Sequence, residues 1–131
     1  MSATHLYHGT PLKDLPYLEP GIDGLVFACI DVRFAAVFMI GAKRFSCARK
    51  DGTIHAYLPM SQSRCFAQDR GGAIYVLDSA LFTPTDGTRF EWGCQQRVMP
   101  AKVMKFVSGI SAVLSFGVCL HFDEPGSTNS T

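Results

Sequence analysis

Charge is scarce in this sequence, and neither sign dominates. Only 18% of the 131 residues are charged, and twelve Lys and Arg against eleven Asp and Glu leave a net charge of +1. That balance gives no general attraction to nucleic acid or anionic lipid, although a local basic patch stays open. Long apolar runs are also missing. The two longest, Ala35–Ala42 and Ile110–Phe122, are broken by glycine or serine. They fall short of the ~20 residues that cross a bilayer, so no membrane association is expected. Met1-Ser2-Ala3-Thr4-His5 shows no basic stretch leading into an apolar one, so no secretory signal is expected. The five cysteines (Cys29, Cys47, Cys65, Cys94, Cys119) form no C-x-x-C pair. Neither a zinc site nor a redox dithiol follows, and they read as reduced, small apolar side chains of a cytoplasmic protein. A phosphate loop, a dinucleotide G-x-G-x-x-G after a strand, H-E-x-x-H and G-x-S-x-G are all lacking. The common NTPase, Rossmann, zinc-protease and hydrolase classes are therefore unsupported, and no metal is expected.

What the chain does have is apolar mass. At 47% apolar it is no disordered segment, and a domain of this length buries roughly two-thirds of its unfolded surface. We read residues 1–122 as one domain and 123–131, which lack any apolar side chain, as a flexible tail. Short apolar runs divided by turn residues indicate strands at His5–His8, Leu25–Cys29, Ala73–Leu77, Lys102–Phe106 and Val118–Phe122. Residues 11–23, with three prolines, read as a loop holding at most one helical turn. Asp31 is placed to cap a helix over 32–40 that ends near Gly41. Asp51-Gly52 is a hairpin turn between Lys43–Arg49 and Thr53–Leu58. Residues 59–72 carry no clear pattern, and Thr83–Thr88 is turn-rich. Phe90-Glu91-Trp92 opens a strand running toward Val98. A second helix is expected over Ser108–Phe116, closed by Gly117. The class is α+β without βαβ regularity.

One set of segments carries chemistry. Leu6-Tyr7-His8-Gly9-Thr10 ends a strand with a histidine and a glycine, Gly24-Leu25-Val26-Phe27-Ala28 leads into a helix bearing Ala35 and Phe38, and Glu91 starts a late strand. In order and spacing, over residues 5–105, they resemble the ADP-ribosyltransferase superfamily in its diphtheria-toxin and poly(ADP-ribose) polymerase branch. That branch reads His-Gly-Ser/Thr, then Gly-x-Tyr-Phe-Ala and a helix with Ala and Tyr, then Glu-Tyr. The resemblance implies split antiparallel sheets with two or three short helices. It also implies NAD as substrate and transfer of ADP-ribose to an acceptor (protein, nucleic acid, small molecule or water). By the same resemblance His8 contacts ribose hydroxyls, Gly9 holds the nicotinamide amide through its backbone, and Thr10 stands beside it. Phe27 and Ala28 match Phe-Ala, with Val26 in place of the tyrosine. Phe38 lies one residue from the position of the stacking aromatic, and Glu91 matches the glutamate on the nicotinamide ribose.

These residue types suit such chemistry. Cleavage of the nicotinamide–ribose bond builds oxocarbenium-like charge. A carboxylate aimed at the 2′-hydroxyl stabilises that charge, and an aromatic face with backbone amides positions the leaving group. Each residue also has a structural reading: Glu91 on a solvent face, His8 bonded to backbone, Phe38 as core. Tyr7 alternates to the face opposite His8 and reads as structural. His5, His55 and His121 have no evident partners. The basic residues Lys43, Arg44, Arg49, Lys50, Arg64 and Arg70 read as a solvated hairpin face or, alternatively, as a phosphate-facing patch. Two further functions stay open: a non-catalytic domain binding NAD, a nucleotide or a protein, and an RNA 2′-phosphotransferase. The latter branch shares the Leu-Tyr-His-Gly-Thr segment but has other residues at positions 26 and 91.

Overall fold

The computed structural model describes residues 5–21, 23–41, 45–62, 64, 68–85 and 91–123. The fold is α+β, built from two mostly antiparallel sheets with short helices. The larger sheet has six strands: β1 (His5–Thr10), β2 (Val26–Cys29), β5 (Gly72–Asp78), β6 (Thr83–Pro84), β7 (Glu91–Cys94) and β8 (Lys102–Phe106). Their order is β6-β7-β2-β1-β5-β8, and every pairing is antiparallel. The smaller sheet joins β3 (Ser46–Lys50), β4 (Thr53–Pro59) and β9 (Cys119–Asp123) in the order β3-β4-β9. Its β4–β9 pairing is parallel.

Local chemistry sets several of these elements. In β4, Ile54, Ala56 and Leu58 are buried while the residues between them are partly exposed, the period of a one-sided strand. Asp51 and Gly52 both take positive φ, 52° and 80°. That is the tight turn whose twist suits a two-residue hairpin. Helix α1 (Val32–Val37) begins at Asp31, whose carboxylate accepts from Arg33 N at 2.9 Å, and runs into a 3₁₀ turn at Phe38–Ile40. Gly41 ends it with a φ of 86°. Helix α2 (Gly109–Ser115) starts at Ser108, which accepts from Ser111 N, and is followed by Gly117 at positive φ.

The six-stranded sheet is buried on both sides. One side meets α1, α2 and the smaller sheet through Phe34, Val37, Met39, Ile54, Leu58, Ile74 and Val113. Burying a side chain such as Phe34 there is worth about 1.5–3 kcal/mol. On the other side Leu6, Val26, Tyr75 and Leu77 pack with Leu18, Phe82 and Val98. Tyr75 is fully buried, so its hydroxyl needs partners. It donates to Leu12 O at 2.6 Å and accepts from Leu15 N at 3.2 Å. The loop after β1 is thereby held across the sheet. Leu18 and Val98 exchange both backbone hydrogen bonds at 2.9 Å.

The structure refines several expected elements. The strand opened by Glu91 stops at Cys94, because the exposed Gln95–Arg97 bend away before Val98 bridges to Leu18. The described part of 11–23 forms no helical turn; its polar groups are spent on Tyr75 and Val98 instead. Strand β9 extends one residue past the expected domain end, to Asp123. His55 and His121 do have partners, namely each other. Their ring nitrogens lie 2.9 Å apart and their centroids 5.2 Å apart. Those two values place the rings end to end in an N–H···N bond rather than face to face, with Tyr57 stacked on His121 at 4.7 Å. Phe90 and the tail beyond Asp123 lie outside the described residues, as do Lys43 and Arg44.

Candidate functional site

The site begins where β1 and β2 separate. Their ladder consists of Tyr7↔Cys29. Extending that register would set Gly9 opposite Phe27, but this pair is not joined. The His8 imidazole enters the gap, with Nδ1 2.6 Å from the Phe27 carbonyl oxygen. A carbonyl only accepts, so Nδ1 carries the proton and Nε2 offers a lone pair. Burial pushes the His8 pKa below the ordinary 6.5, although the bond to Phe27 pulls upward. The ring is therefore neutral at physiological pH.

On the helix side of the gap lies a cavity of about 180 Å³, lined by Tyr7, His8, Gly9, Phe27, Cys29, Phe38 and Glu91. The cross-strand register accounts for much of this lining. Glu91 stands opposite Cys29, and Cys29 stands opposite Tyr7, so all three occupy one row on one face. Phe38 arrives from the 3₁₀ turn, edge-on to Phe45 with centroids 4.8 Å apart. Gly9 has no room for a side chain, since a Cβ there would overlap the Ala35 carbonyl. Its absence lets α1 close directly on β1.

Glu91 is partly exposed, and Thr85 Oγ1 sits 3.1 Å from its backbone oxygen and 3.5 Å from Oε1. The Cys29 thiol is pushed up to about 12, first by burial and then by the negative charge of Glu91. Cys29 is thus a protonated wall and no nucleophile. Cys29, Cys47, Cys94 and Cys119 are all free. Among the described residues, no group of three or more His, Cys, Asp or Glu could hold a metal ion.

A second, open trough of about 540 Å³ shares His8 and Phe27 with the cavity and continues along Thr10, Leu15, Tyr17, Glu19 and Val26. Its outer wall is fastened by Arg97, whose guanidinium lies 4.1 Å from the Tyr17 ring centroid and 3.4 Å from Glu19. Thus five residues singled out in the sequence, His8, Gly9, Phe27, Phe38 and Glu91, border one cavity. Thr10 and Val26 border the trough instead. Ala28 is buried on the sheet's other face.

Tyr7 and Cys29 were not among the expected site residues. Alternation does put Tyr7 and His8 on opposite faces, yet both border the cavity because the His8 ring turns into the gap. The strand register that brings Cys29 to Glu91 leaves no trace in a single sequence. The alternative reading of the basic residues as a phosphate-facing patch gains no support among the described residues: none of Arg49, Lys50, Arg64 and Arg70 lines either space, although Arg97 braces the trough wall through Tyr17 and Glu19. Arg49 pairs with Asp31 at 3.2 Å, and Lys50 Nζ meets the Tyr57 hydroxyl at 3.2 Å.

Comparison with known proteins found no matching family model, no matching curated protein and no matching solved structure.

Proposed function

We propose that this chain is an ADP-ribosyltransferase-like enzyme that cleaves the nicotinamide–ribose bond of NAD and passes ADP-ribose to an acceptor nucleophile or water. The supporting observation is the convergence of His8, Gly9, Phe27, Phe38 and Glu91 on one cavity. At about 180 Å³ it suits a single substituted ring, since an apolar cavity of ~150 Å³ takes benzene. In this reading the parting of β1 from β2 within the six-stranded sheet provides the cleft that the family resemblance implies. Nicotinamide lies between the Phe27 and Phe38 walls, with its amide on the Gly9 backbone. The Nε2 lone pair of His8 accepts from a ribose hydroxyl. The Glu91 carboxylate accepts from the 2′-hydroxyl and stabilises the positive charge that grows on the sugar as nicotinamide leaves with the bonding electron pair. The remaining nucleotide extends into the trough beside Thr10. The acceptor attacks the anomeric carbon, forming the new glycosidic bond, and gives up its proton to solvent water. Free thiols suit a reducing compartment such as the cytoplasm.

The experiment is NAD turnover by the wild type and Glu91→Gln. The reading expects nicotinamide release by the wild type and a loss of about 10²–10³-fold in kcat for the variant. Equal turnover by both proteins removes Glu91 from the chemistry. A second reading, NAD or nucleotide binding without turnover, draws on Val26, which stands where the family resemblance calls for a tyrosine and borders the trough with no aromatic face. Calorimetry showing NAD binding with no nicotinamide release would select it. Glu91 on the cavity wall disfavours removal of an RNA 2′-phosphate, because a carboxylate there repels the phosphate.

A further inference from the structure

A groove of about 560 Å³ lies on the helix-bearing face of the six-stranded sheet, beyond the candidate cavity. Tyr7 borders both spaces. The groove has an apolar bed: Val76 and Met104 from β5 and β8, Val32 from the first turn of α1, and Phe116 from the end of α2. Register explains how these side chains meet. Tyr7 stands opposite Val76, and Val76 opposite Lys102, so one row runs from an aromatic ring through a branched apolar side chain to a cation. Ile74↔Met104 forms the next row on the same face.

Lys102 distinguishes this groove from a mere dent in the surface. Its neighbour on the strand, Lys105, is held by Asp14 at 2.7 Å. Lys102 borders the groove and makes no ion pair among the described residues. An apolar bed flanked by the Lys102 ammonium, with the His5 imidazole also on the rim, is complementary to one kind of small ligand. That ligand carries an apolar body to displace water from Val76, Met104 and Phe116, and one anionic head for Lys102. We propose that the groove binds a small amphipathic carboxylate, an aliphatic acid of medium chain length. This site is separate from the NAD cleft, and its occupancy does not depend on the enzymatic reading.

The test is a titration of the full chain, labelled at its methionine methyl groups, with octanoate and separately with 1-octanol. Met104 borders the groove and Met39 is buried in the core, so the two methyl signals report binding and fold independently. The expected result is a saturable shift of the Met104 signal with octanoate while Met39 stays in place. Octanol, with the same body and no charge, is expected to bind about two- to fivefold more weakly. Lys102→Gln is expected to lower octanoate affinity about two- to fivefold and Lys102→Glu by more, both leaving octanol affinity unchanged. Failure of Met104 to shift saturably, equal affinities for octanoate and octanol, or unchanged octanoate affinity in both variants with Met39 in its native position would overturn the proposal.

Discussion

His8 Nδ1 donates to the carbonyl oxygen of Phe27 at 2.6 Å, across the gap where β1 and β2 no longer pair. A side chain there satisfies a carbonyl that the sheet ladder leaves open, and in doing so it fixes which imidazole nitrogen faces the cavity.

Replacing His8 with Ala leaves the Phe27 carbonyl without its partner in a half-buried site. The expected cost is about 1–3 kcal/mol of folding stability, read from chemical denaturation. The pH dependence follows from the sign of the shift. The folded His8 has a pKa below the unfolded 6.5, so between the two values the unfolded chain holds more protons. Its stabilising contribution is complete above 6.5 and declines as the pH falls through the folded pKa. In the wild type this dependence appears as a drop in unfolding free energy as the pH falls from 6.5 to the folded pKa, and it vanishes in His8→Ala. A nitrogen NMR spectrum showing Nε2 protonated at neutral pH would contradict the assigned tautomer.

Gly9→Ala tests the close approach of α1 to β1. The added Cβ meets the Ala35 carbonyl, which is backbone and cannot swing aside. The helix must then move or the strand must bend, at a cost of about 1–3 kcal/mol or more. The expected reading is a fall in Tm together with altered amide signals at Ala35 and Ala36. An unchanged Tm would mean that the contact is looser than described.

Asp69 caps α2 from a loop far away in the chain. Its carboxylate accepts from Gly109 N at 2.8 Å, Ile110 N at 3.0 Å, Gly71 N at 3.0 Å and the Ser108 hydroxyl at 2.9 Å. Burial alone would raise its pKa, but the bonds from Ile110, Gly71, Gly109 and Ser108 together bring it below the ordinary 3.8. The folded pKa is thus depressed. The contribution to stability is present above the unfolded value and is lost as the pH falls through the folded one. Asp69→Ala is expected to cost about 1 kcal/mol at neutral pH and less in strong acid, where the protonated carboxyl accepts more weakly. Denaturation curves at the two pH values check this; an equal loss at both would refute it.

The legible parts of the fold were those written in adjacent residues. Asp31 before an apolar stretch and Gly41 after it mark the start and stop of a helix through a side-chain acceptor and a left-handed backbone. Asp51-Gly52 marks a hairpin for the same kind of reason. The candidate site was legible only as separate pieces. His8, Gly9, Phe27, Phe38 and Glu91 could be named, but Tyr7 was assigned to structure and Cys29 to packing. Period-two alternation reports which face a side chain takes and says nothing about which strand lies beside it.

By itself the sequence settled the local elements, the α+β class and the turn positions, because caps, turns and alternation depend on contacts within a few residues. Only the tertiary structure decided that Glu91, Cys29 and Tyr7 share a row, that the His8 ring fills a gap in the sheet, that Asp69 reaches the start of α2, and that His55 meets His121. Each of these joins a side chain to a partner many residues away, so each follows from strand order and register. Those are settled by how the whole chain buries both faces of its central sheet at once.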